Sequence, residues 1–351
     1  MMDKDKTLSK KIIFILSASV LAAVLIIYIV FTPFFLDPSE PDEEDWENYP
    51  YVIPGTDMRF PDEEGLHPEG ETWISVGLRL DFPDSDLKRT YIIMLYHEEH
   101  KSVYFSTPEE THHTRQPGEQ TLPEGKLDMS FNNLDLPEDR FTADEDGAFN
   151  YDLRSFFEIE ETKYAVDLEL ESKKPPATIQ EFDGEMHLGE EYYRIHSLTN
   201  CAVSGTINID EKRYGTEGVA WIENQRGLFD AMEWEWFAFW TDGDREMKIV
   251  DVYGSGENKK YGMYVDDGGE VLTVKDIYIE VTSTKQGFGY SWEVSSEEHP
   301  VRLNITCIEE RMQYPGFAVG LGEVRGELMG EEIATKTYVE LTKPRTAPDE
   351  G

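Results

Sequence analysis

Residues 192–253 read YYRIHSLTNCAVSGTINIDEKRYGTEGVAWIENQRGLFDAMEWEWFAFWTDGDREMKIVDVY. Val203, Gly205, Ile207 and Ile209 alternate there with Ala202, Ser204, Thr206 and Asn208. A period of two describes a strand with one buried and one wet face. Asp210-Glu211-Lys212 closes that run as a hairpin end. Further on, Val219, Trp221 and Glu223 share one parity. The aromatic run then places Trp234, Trp236 and Trp240 on one face, with Phe237 and Phe239 on the other. Both faces are apolar, so one packs as core while the other can line an apolar cavity or meet another unit.

The same grammar extends in both directions. Val301, Leu303, Ile305 and Cys307 alternate with polar residues, and residues 337–342 (TYVELT) read as a last short strand. Upstream, Ile74, Val76, Leu78 and Leu80 alternate, as do Tyr164, Val166, Leu168 and Leu170. Residues 91–96 form a continuous apolar run suited to a central strand. Turn-rich breaks separate these segments, and no long 3.6-residue period appears. Many short strands suit closed barrels, which leave no edge to pair wrongly. The expectation is an all-β chain of two consecutive antiparallel barrels, residues 51–185 and 186–343, joined near Lys173-Lys174-Pro175-Pro176, with 344–351 as a tail.

Ahead of the barrels, residues 12–32 are almost wholly apolar. At about 1.5 Å per residue such a helix is about 32 Å long, enough to cross a bilayer core. Lys4, Lys6, Lys10 and Lys11 precede it, and Asp37, Glu40 and Asp42 to Asp45 follow. The positive-inside rule then predicts a cytoplasmic residues 1–11, a single transmembrane anchor over 12–36, an acidic linker over 37–50 and an extracytoplasmic body. A cleaved signal peptide would carry a shorter apolar core and a small-residue site, and Phe34-Phe35-Leu36 is a poor one.

Thirty-two basic residues against 72 acidic ones give a net charge of −40. Nucleic acid is excluded as a partner, because binding it needs phosphate neutralisation by Lys and Arg. The spread of acid fits a heavily solvated surface in a salty medium, where ions screen self-repulsion.

Glu223 is the candidate catalytic residue. A carboxylate beside Trp221 in an apolar pocket has its charged form disfavoured, so it can hold a proton and act as a general acid. The plainer reading is a wet strand-end glutamate. Arg226 is the expected modulator, since pairing would keep Glu223 ionised. Cys201 and Cys307 are the only cysteines, and two readings stay open: a disulfide, or two buried thiols. His97, His100, His112 and His113 form two pairs. The spacing HEEH differs from HExxH, and both pairs sit among acidic residues, so neither a metal nor another cofactor is expected.

The segments YYRIHSLTNCAVSGTINID, GVAWIENQRG, EWEWFAFWTDGDREM and TYVELT together resemble the AttH/CrtC lipocalin-like family. Its members include carotenoid 1,2-hydratases, relatives described as secreted hydrolases, and lipocalin-like pericyclases. Phe60-Pro61-Asp62 and Gly65-Leu66-His67-Pro68 are similar to the family's opening. Three positions depart from it: Thr72-Trp73 replaces a Trp-Trp, Glu223 an Asp, and Arg226 a Trp. The resemblance implies two lipocalin-like barrels with a ligand cavity, and in the hydratase branch an acid that protonates an alkene before water adds. The expected function is binding of an apolar isoprenoid- or lipid-like molecule, with Trp221, Tyr193, His196, Trp234 and Trp236 around it. The alternatives are a hydro-lyase or isomerase using Glu223, and then a hydrolase.

Overall fold

A computed structural model of the chain describes residues 51–66, 70–144, 149–182, 184–228, 232–307, 312–314 and 317–342. The anchor expected at 12–36, the linker at 37–50 and the tail at 344–351 lie outside the described residues. Within them, no helix is long and apolar enough to cross a membrane.

The strands begin with β1 Tyr51–Val52, β2 Arg59–Phe60, β3 Glu71–Asp81, β4 Thr90–His97, β5 His100–Ser106 and β6 Thr111–Thr121. Then come β7 Asp128–Asn133, β8 Asp139–Ala143, β9 Asn150–Ile159, β10 Thr162–Ser172 and β11 Glu185–Leu188. A long pair follows, β12 Glu191–Ile209 and β13 Lys212–Leu228. The remainder are β14 Glu233–Trp240, β15 Glu246–Gly254, β16 Glu257–Val265, β17 Val271–Val274 and β18 Ile277–Lys285. The last are β19 Phe288–Ser296, β20 Val301–Cys307, β21 Met312–Tyr314, β22 Phe317–Leu328 and β23 Glu331–Leu341.

The first sheet runs β10-β9-β8-β7-β6-β5-β4-β3-β13-β12-β11, and β10 also pairs with β12. That last pairing, from Tyr164 opposite Ile209 to Ser172 opposite Cys201, closes the sheet into a barrel. The second sheet runs β17-β16-β15-β14-β23-β22-β20-β19-β18, with β21 on β22. Its outer strands β17 and β18 do not pair with each other, so this sheet is curled but open. The all-β expectation holds. The expectation of two closed barrels does not, because only the first sheet finds a closing strand.

The strand pairing also moves the boundary between the units. Residues 191–228, assigned from sequence to the second barrel, belong to the first sheet: β13 pairs with β3 and β12 with β10. Alternation marks these residues as strands but carries no information about their partner. The double proline is therefore no boundary. Lys174 beside it reaches the second sheet, donating to Glu246 Oε2 at 2.8 Å and to the Asp244 and Asp266 carbonyls. Asn200 and Thr199 donate to the same Glu246 carboxylate at 2.9 and 3.1 Å.

Successive side chains of a strand point to opposite faces. On β13, Val219 and Trp221 face the second sheet, packed with Trp236, Trp240 and Val250. Asn224 turns the other way and donates to the Glu64 carbonyl at 2.9 Å. On β14 the even positions join this seam, while Phe237 and Phe239 join the second sheet's own core with Trp292 and Ile305. Both apolar faces expected of the aromatic run are thus used. Within the barrel, Lys101 and Asp139 form a fully buried ion pair at 2.6 Å. Tyr96, Ser155, Asn133 and the Phe156 amide complete the Asp139 shell.

Gly77 on β3 lies close against Tyr338 of the second sheet. A Cβ there would stand 2.6 Å from the Tyr338 ring of β23. We expect Gly77→Ala to destabilise the fold by about 1–3 kcal/mol through overpacking. The double variant Gly77→Ala/Tyr338→Leu should recover most of that loss. Urea denaturation of both variants checks the pair.

Candidate functional site

The seam between barrel and second sheet is mostly apolar, yet it contains buried charge. Glu223 on β13 and Lys248 on β15 are fully buried and meet at 3.0 Å. Ser197 on β12 donates to Glu223 Oε1 at 2.8 Å and accepts from Lys248 at 2.8 Å. Trp221 Nε1 donates to the same oxygen at 3.1 Å, and Gln225 Nε2 reaches the other oxygen at 3.1 Å. Burial pushes the Lys248 ammonium below the ordinary lysine range, with Glu223 acting in the opposite sense. Glu223 is thus surrounded by donors, one of them a lysine that the sequence reading did not single out.

Arg226 does not modulate Glu223. Three residues apart on one strand, the two point to opposite faces. Arg226 pairs instead with Glu63 at 2.9 Å, and Arg194 meets the same carboxylate at 3.0 Å. His196 also lies on that other face, its ring 4.8 Å from Phe60 edge to face.

Two small cavities occupy the seam. The larger, about 30 Å³, is walled by Ile195, Met232, Trp234, Trp236, Val250 and Val252. Gln225, Tyr193 and Tyr261 form its polar end. The two tyrosine hydroxyls lie 2.5 Å apart, and burial raises both phenols above their ordinary range. The smaller, about 10 Å³, is bordered by Ser75, Trp221, Trp236, Tyr338 and Glu340. Trp236 walls both. Four of the five expected ligand residues therefore gather here (Tyr193, Trp234 and Trp236 at one cavity, Trp221 at the other) and His196 does not. Glu223 borders neither cavity, while Gln225 of the larger and Trp221 of the smaller donate to its carboxylate.

Glu340 on β23 is a second residue the sequence reading missed, after Lys248. Trp234 Nε1 donates to its Oε1 at 2.8 Å. Burial pushes its carboxyl up to about 7; the Trp234 bond opposes the rise and nearby Glu223 adds to it. The available signal was parity: in Tyr338-Val339-Glu340-Leu341 a lone carboxylate shares a face with Tyr338 in an otherwise apolar strand. Outside the cavity, Trp73 contacts Trp234 and Phe317 with ring centroids 6.3 Å apart in each case. These three half-buried rings form a rim.

The remaining candidates stand elsewhere. Cys201 and Cys307 are both buried free thiols, one in each sheet, so they form no disulfide. Burial pushes the Cys201 thiol up to about 12. His97 meets Trp73 edge to face and lies 3.4 Å from Glu71, while His100 takes Arg115 at 3.0 Å. His112 lies between Glu110 and Glu160 on the surface of the barrel. Asp276, Glu298 and His299 bring ligand-type atoms within 4.8 Å of one another. Asp276 there already accepts from Ser296 and from the Glu297 and Glu298 amides, so it caps a turn.

Two outcomes follow from these charges. Lys248→Met should cost about 3–5 kcal/mol by leaving Glu223 buried without its cation, and Lys248→Met/Glu223→Gln should recover most of it in urea denaturation. Glu64, Glu246 and Glu340 all have carboxyls raised from 4.5 to about 7. Between those two pH values the folded chain binds more protons than the unfolded chain, so stability falls as pH rises through that window. Glu340→Gln removes one such group. It should stabilise the protein by on the order of 3 kcal/mol at pH 8, with most of that gain gone at about pH 5.

The architecture is similar to that of a candidate AttH from Nitrosomonas europaea, with a TM-score of 0.64 and 17% identity, covering 83% of this chain and 98% of that one. It is also similar to kievitone hydratase from Nectria haematococca, with a TM-score of 0.63 and 10% identity, covering 84% of this chain and 94% of that one. No family model and no curated protein matches the sequence. The resemblance read from the strand motifs is thus carried by shape: the chain has the AttH-type, lipocalin-like fold.

Proposed function

We propose that the protein binds a small apolar molecule, isoprenoid- or lipid-like, in the seam between its two sheets. The observation that carries this reading is the paired cavity: aromatic and aliphatic walls, one polar end at Gln225, Tyr193 and Tyr261, and a carboxyl at Glu340. Ligand sites combine apolar walls with a few placed polar groups in this way. At about 30 and 10 Å³ the two spaces are of water size. Binding therefore requires Trp236, which divides them, to move, together with the rim of Trp73, Trp234 and Phe317. The basic residues before 12–32 and the acidic ones after it support a membrane-tethered body on the outer face, close to a source of such molecules.

A second reading is a hydro-lyase or isomerase acting on an unsaturated apolar substrate. It is favoured by the carboxyl on the cavity wall and by the shared fold with kievitone hydratase. Fold alone does not transfer a reaction. A hydrolase needs an accessible nucleophile. Ser197 lies 2.8 Å from Lys248, but its proton is given to Glu223 and it borders neither cavity.

The binding reading is tested by mass spectrometry of organic extracts from protein purified out of its own membranes. We expect one dominant isoprenoid- or lipid-like species, with its yield reduced at least tenfold in Trp236→Arg. Protein that is empty after mild detergent handling would sink the reading.

A further inference from the structure

Two carboxylates of the seam, Glu223 and Glu340, have different surroundings. Glu223 has Lys248 at 3.0 Å and three further donors, and it lines neither cavity. Glu340 has one donor, the Trp234 indole. No cation pairs with it among the described residues, yet it is 4% exposed and forms part of a cavity wall with Trp221, Trp236 and Tyr338. A carboxylate among indoles, with no counter-ion and a second carboxylate nearby, favours its neutral form. Two further buried groups on that wall, Trp236 Nε1 and Tyr338 Oη, have no hydrogen-bond partner among the described residues. Buried polar groups of this kind call for a partner, and a bound molecule bearing oxygen would supply one.

We propose that Glu340, and not Glu223, is the acid of this site, holding a proton that it delivers to an unsaturated apolar molecule lodged against Trp236. This rests on the hydro-lyase reading above and names its acid. The Glu340 O–H bond breaks, and its proton joins one alkene carbon through the π pair. The neighbouring carbon becomes cationic and accepts a lone pair from water. The proton released by that water returns to the Glu340 carboxylate. One alkene and one water give one alcohol, and nothing is oxidised or reduced. If the cation instead loses a different proton to Glu340, the alkene has been isomerised. The larger cavity has room for the water. A place on the cavity wall beside Trp236 and surroundings that favour the neutral carboxyl together suit Glu340 to general acid catalysis once Trp236 moves to admit the molecule.

Two experiments on the full chain test this. In the first, carboxyl-labelled glutamate is followed by NMR from pH 4 to 9. A carboxyl titrating near 7, against about 4.3 for an exposed glutamate, should vanish in Glu340→Gln. Glu64→Gln and Glu246→Gln assign the other two raised carboxyls. In the second, protein is incubated in D₂O with a total lipid extract of the cells that make it, and mass spectrometry seeks species gaining deuterium on carbon. Wild type and Glu64→Gln should label the same species, and Glu340→Gln should label it at least 100-fold more slowly while still co-purifying with it. Glu340 titrating near 4, labelling unchanged in Glu340→Gln, or no labelled species at all would each overturn the proposal. A co-purifying molecule that is never labelled would leave the binding reading standing while the acid falls. The higher stability of Glu340→Gln at pH 8 confirms that the variant is folded.

Discussion

A buried lysine from one sheet and a buried glutamate from the other meet in the middle of an apolar seam. Lys248 belongs to β15 and Glu223 to β13, so neither charge is compensated until the two sheets dock. Taking a charge out of water costs several kcal/mol unless its partner arrives in good geometry. Apolar packing alone tolerates sliding; a desolvated ion pair with Ser197, Trp221 and Gln225 around it does not. Lys174 and Glu246 repeat the device farther along the seam. The pair therefore restricts how the sheets can register, and with that the positions of Trp234, Trp236 and Trp240.

The same seam illustrates how environment divides one residue type into two roles. Glu223 and Glu340 are both buried. The first has a lysine and sits behind other side chains. The second has an indole N–H and lines a small apolar cavity. A cation nearby favours the ionised carboxylate and an apolar wall the neutral acid. Two carboxyls of one seam thus stand in different environments, one beside a buried cation and one against an apolar wall.

Much of this was legible in the sequence. The period of two in β3, β10, β12 and β20 set the all-β class, and the even and odd rings of 234–240 required two apolar faces. Trp221 and Glu223 do share a face, as their parity demands. Parity also excludes the Glu223–Arg226 contact, since an odd separation turns one side chain away. The resemblance to AttH proteins, read from short aromatic motifs, matches the fold.

What local pattern determines is the face of each strand; what it leaves open is which strand lies opposite. Strand partners are fixed by long-range closure, so only the tertiary structure could place β12 and β13 in the first barrel and leave the second sheet open. The same holds for charge. Lys248 looks like an ordinary strand residue in the sequence, and parity marks Glu340 only as a lone carboxylate in an apolar strand. Lys248 becomes a counter-ion, and Glu340 a carboxyl held against an apolar cavity wall, only when the seam removes their water, because the free energy of a charge depends on what surrounds it in space and not on its neighbours along the chain.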